Sequence, residues 1–159
     1  MLITIILGTK MKRIQEITGK LLHDYRLIAL LPAISVILDY AMTFFFAGDT
    51  SMIISWEASP FVRFAVINNI LIPYLVAIVL FYYVSSYAVL RILAGTVYYK
   101  FGVLLIITMS ITHIVGGMSW YFRNPMYSNG VMLVSLFSIV VAVVVFGFSI
   151  IRERASVHS

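Results

Sequence analysis

The chain has 159 residues, 62% of them apolar and only 11% charged, with a mean hydropathy of +1.06. A soluble domain carries roughly 25% charged residues and could not hide this much apolar surface at this length, so lipid is the expected solvent for most of it. The absence of cysteine excludes disulfides, thiolate metal sites and a thiol nucleophile, and the net charge of +5 reads as membrane topology rather than nucleic-acid binding.

The chain begins with "MLITIIL", which is too short to span a bilayer and has no basic stretch before it, so it makes a poor signal peptide. Met11, followed by Lys12 and Arg13, is an alternative start. Residues 1–26 are expected to be a basic cytoplasmic segment. A spanning helix needs about 20 mostly apolar residues, and four stretches meet that: 27–46, 70–90 (entered as early as 61), 101–120 and 131–151. Their length, without alternation of apolar and polar residues, predicts helices rather than strands. Pro32 and Pro73 are expected in the first turns of their helices, where a missing amide proton costs least. The fold class is therefore all-α: an integral membrane four-helix bundle forming a single domain over 27–151, followed by a tail at 152–159. The fourth span, with "IVVAVVVFGF", is expected to be the most lipid-exposed.

Lysine and arginine set the expected orientation. Lys10, Lys12, Arg13, Lys20, Arg26, Arg91, Lys100, Arg152 and Arg154 fall on one side, and only Arg63 and Arg123 on the other. Both termini should face the cytoplasm, with the protein in the cell membrane as a multi-pass chain.

Polar residues inside the spans carry whatever chemistry the protein has. An unpartnered aspartate in a bilayer costs several kcal/mol, so Asp39 demands a partner, a proton or water. Ser35, Asp39 and Thr43 recur every four residues and make one polar stripe on the first helix; Ser110, His113 and Gly117 share a face of the third. Asp39 and His113 fall at a similar depth. Gly116 and Gly117 allow a neighbouring backbone to approach. The first outer loop, "GDTSMIISWEASP", places Glu57 beside Trp56; if "MIISW" dips into the interface, Glu57 comes down toward Asp39 and His113. Asn68 and Asn69 reach the same end of the second helix. The expected constellation is Asp39, Thr43, Glu57, Asn68 or Asn69, and His113.

"LDYAMT", followed fourteen residues later by "EASP", resembles an uncharacterised family of small archaeal and bacterial membrane proteins. Their first helix carries D-x-x-x-T and the next loop E-x-N-P. Asp39, Thr43, Glu57 and Pro60 match; Ser59 stands where the family has asparagine. The resemblance covers about residues 38–60 and the helix count. It implies that these positions belong together and brings no activity with it.

Three functions fit these residues. The leading expectation is a structural or accessory membrane subunit, in which Asp39, His113 and the hydroxyls join the helices. A second is a proton- or cation-coupled small transporter, which with only four helices would act as a homodimer. A third is an intramembrane hydrolase using a divalent metal held by Asp39, Glu57 and His113. Haem is disfavoured, because only His113 offers an axial ligand within a span. The expected partners are the lipid bilayer, a second copy or a larger membrane complex, and not nucleic acid; no nucleotide-binding motif is present.

Overall fold

The computed structural model describes residues 24–157, and among these every regular element is a helix. In chain order they are α1 (Tyr25–Ala47), α2 (Thr50–Trp56), α3 (Pro60–Ile67), α4 (Leu71–Leu93), α5 (Tyr99–Phe122) and α6 (Pro125–Val157). Four of them, α1, α4, α5 and the first part of α6, are long and apolar enough to cross a membrane. At 1.5 Å per residue the 23 residues of α1 span about 34 Å, a little more than a hydrocarbon core. Lys10, Lys12, Arg13, Lys20 and the alternative start at Met11 lie outside the described residues.

The helices start where short polar side chains can serve their unpaired amides. Asp24 caps α1 by accepting the Arg26 amide at 3.0 Å, which begins the helix two residues before the apolar run. Pro32 is consequently inside α1 and not in its first turn, contrary to the sequence expectation. The Ser35 hydroxyl donates to the Pro32 carbonyl at 2.9 Å, so this member of the polar stripe is spent on its own helix. Pro73, third in α4, is where it was expected. α6 starts at Pro125, with Asn124 Oδ1 accepting the Met126 amide at 2.8 Å. That is six residues before the expected boundary at 131.

The four long helices alternate in direction. Ile28, Leu90, Val103 and Ile106 gather at the end where α1 and α5 begin and α4 finishes. At the other end, Ala47 packs with Ile53 of α2 and with Val62 and Val66 of α3, while Tyr40, Tyr74 and Trp120 lie against that cluster. The two short helices thus form a cap over one end of the bundle. Asp49 nucleates α2 by accepting the Met52 amide at 2.8 Å and the Ser51 hydroxyl at 2.7 Å. Arg63 and Arg123 are at the capped end; Arg26, Arg91 and Lys100 are at the opposite one.

α1 is the hub. It packs most extensively on α5 and next on α4, whereas α6 rests on α5. The outer faces of α4 and α6 are both lined by exposed apolar side chains, so α4 shares the exposure expected of the fourth span alone.

Candidate functional site

Glycine decides how near α1 can come to α5. Gly117 is buried, and a methyl group there would stand 3.0 Å from Asp39 Cα and 3.1 Å from the Asp39 carbonyl oxygen. Only a residue without Cβ allows the backbones to meet this closely. One helical turn before it, His113 is carried to the level of Asp39, and its Nδ1 lies 2.9 Å from Asp39 Oδ2. An ionised carboxylate accepts from Nδ1–H, which leaves the lone pair of the ring on Nε2. The imidazole stands edge-on to Tyr82 of α4, with ring centroids 4.9 Å apart. Asp39 lies about 12 Å from the capped end of α1, counted at 1.5 Å per residue.

The pair is not sealed in. The His113 side chain is 24% exposed and that of Asp39 22%. Both line a cavity of about 590 Å³ that opens between the cap and the bundle, within the range of small-molecule sites. Thr43 and Glu57 also line it, so four of the residues read from the sequence share one space. A second cavity, of about 320 Å³, borders the same pair, Tyr82 and Ser119. It continues between α5 and α6 past Thr112 to Ser135 and Ser138. Asp39 and His113 therefore stand where the two cavities meet.

Glu57 hangs from the cap. Its Oε1 accepts the Ser59 amide at 2.9 Å, and Ser59 in turn caps α3, its hydroxyl accepting from the Val62 amide at 3.4 Å with Pro60 at the first helical position. The "EASP" segment is thus a helix start that fixes a glutamate. Asparagine at position 59 would cap the helix as serine does. Burial pushes the Glu57 carboxyl above its usual pKa of 4.5; the Ser59 amide pulls it down, the negative charge of Asp39 pushes it up again, and the Trp120 side chain pulls it down.

The two asparagines do not join this group. Asn68 and Asn69 are exposed and outside the lining of either cavity. The Asn68 amide donates to the Phe64 carbonyl at 2.8 Å, and Asn69 takes a left-handed backbone (φ 56°) that turns the chain from α3 into α4. Nor are three His, Cys, Asp or Glu side chains gathered closely enough among the described residues to hold a metal ion. Asp39, Glu57 and His113, expected as three ligands of one metal, all line the large cavity, and the Glu57 carboxyl accepts the Ser59 amide of its own loop.

Several site residues were missed in the sequence. Tyr40 and Tyr74 join hydroxyls at 3.1 Å across α1 and α4. Tyr74, Ile78 and Tyr82 line the large cavity at four-residue spacing, the same stripe signal that marked Ser35, Asp39 and Thr43. Arg123 had no such signal. It takes a left-handed backbone (φ 47°) at the end of α5, and its Nη2 donates to the Phe46 carbonyl at 2.8 Å, tying down the last turn of α1.

No protein-family model matches the chain, and no curated protein or solved structure matches it. The likeness carried by Asp39, Thr43, Glu57 and Pro60 rests on those positions, and function is argued from the site itself.

Proposed function

We propose that the protein is a proton- or cation-coupled small transporter of the cell membrane, with Asp39 and His113 as its protonatable centre. One observation carries this reading: the pair stands at the junction of two cavities, one opening at the capped end and the other running deeper between α5 and α6. A pair that served only to join helices would gain by being closed off, since water competes for its hydrogen bond. The excess of lysine and arginine at the other end supports a capped end that faces outward, with both termini cytoplasmic. Four spans are few to enclose a path, so two copies are the expected working unit.

A second reading, the structural or accessory subunit, is favoured by the close seat of Asp39 on Gly117. Flux separates the two. Wild-type protein in liposomes with an imposed proton gradient should move protons in a cargo-dependent way, and Asp39→Asn should abolish this while remaining folded. A wild type silent under gradients of either sign, with Asp39→Asn merely less stable, would reject transport and leave the structural reading.

A further inference from the structure

We propose that the cavity beneath the α2–α3 cap binds an organic cation bearing apolar groups, with the Asp39 carboxylate as its counter-charge. This names the cargo class of the transport reading and rests on it for the word cargo, though not for binding. The cavity has an acidic floor and aromatic walls. Asp39 gives Oδ2 to His113, and its side chain, still 22% exposed, lines the cavity. Around it stand Tyr40, Trp56, Phe61, Tyr74, Tyr82 and Trp120. Ring faces attract a positive charge within about 6 Å, most strongly where water is scarce.

The alternatives fit less well. An anion would meet two carboxylates, Asp39 below and Glu57 above. The one arginine in the lining, Arg123, is at the rim and directs its guanidinium to the backbone carbonyls of Phe46 and Trp120. A bare metal ion finds no group of three ligands among the described residues. A neutral apolar molecule would bring nothing to answer a carboxylate in the floor. At about 590 Å³ the cavity admits a cation with an aromatic or branched alkyl body.

Proton and cation should compete. When His113 is protonated the pair is neutral overall and its pull on a cation falls; when His113 is neutral the Asp39 charge is available. The other titratable or charged groups facing this space are Tyr40 on α1, Tyr74 and Tyr82 on α4, Glu57 above and Arg123 at the rim. The lining from α6 adds none.

The chain has only two tryptophans, Trp56 and Trp120, and both line this cavity, so intrinsic fluorescence reads it directly. The full chain in mild detergent would be titrated with benzyltrimethylammonium and, separately, with neopentylbenzene, its uncharged carbon isostere. We expect a saturable change with the cation, at least about tenfold weaker binding of the isostere, and weaker cation binding at lower pH. Asp39→Asn should weaken the cation by about tenfold or more and leave the isostere unchanged. Should that variant not fold, Tyr82→Leu, which removes a wall ring and no charge, should still weaken the cation more than the isostere. Equal binding of the two compounds, or no saturable binding, overturns the assignment. Cation binding without proton-linked flux supports the cation site and counts against transport. Proton-linked flux with no cation binding leaves transport standing and removes this cargo.

Discussion

Gly117 lies against the backbone of Asp39, so near that a methyl group on it would sit 3.0 Å from Asp39 Cα and 2.6 Å from Met42 Cε. The neighbouring Gly116 differs: a methyl there would meet Asp39 Oδ2 and Val131 Cγ1 at an ordinary 3.7 Å. The two glycines look alike in the sequence and separate in their consequences. Gly117→Ala should push α1 from α5 and cost about 1–3 kcal/mol, the usual penalty of overpacking, whereas Gly116→Ala should change stability by less than about 0.5 kcal/mol. Thermal unfolding in detergent measures both. Equal effects at the two positions would mean that α1 and α5 do not meet at Gly117.

The bond between His113 and Asp39 crosses 74 positions of sequence, and its strength is accessible by a double-mutant cycle. Asp39→Asn and His113→Gln, alone and together, should give a coupling of about 0.5–2 kcal/mol, since polar pairs between membrane helices average about 0.6. Strict additivity would show that the pair does not form in the folded protein.

Glu57 makes stability depend on pH. Its carboxyl is raised above 4.5 in the fold by burial, so folding favours the neutral form relative to the unfolded chain. The associated stability is present at pH below 4.5 and is lost as pH rises through the higher folded value. Wild-type protein should therefore lose stability relative to Glu57→Gln as pH rises above about 4.5. Paired melting curves between about pH 4 and 8 test this; a difference that stays flat would place Glu57 in water.

Asp49 works in the opposite direction and more locally. The Ser51 hydroxyl and then the Met52 amide hold its carboxyl below the ordinary 3.8, so its capping is retained at neutral pH and fades only in acid. Asp49→Ala should remove that cap and loosen α2. Hydrogen exchange at the amides of Met52 and Ile53 should quicken while α4 and α5 stay protected. Unchanged exchange in α2 would show that packing of Ile53 alone secures it.

The spans were readable because lipid imposes one rule on every residue they contain: backbone polar groups must be satisfied within the helix and side chains must be apolar over a fixed length. The same rule made Asp39 and His113 conspicuous, and the four-residue stripe gave the face of Asp39. Helix ends were less legible. Asp24 and Asn124 capped α1 and α6 before the apolar runs began, so Pro32 fell inside a helix and α6 started early.

What the sequence determined by itself was the number of helices long and apolar enough to cross a membrane and which charged groups must find partners, because these depend on composition along a single helix. It could not decide which partner each group found. That Glu57 turns to the Ser59 amide while Asp39 reaches His113, that Asn68 and Asn69 face away, and that Arg123 binds the end of α1 were settled by tertiary packing. The physical reason is that helix rotation and the close approach at Gly117 are set by contacts among residues far apart in the chain.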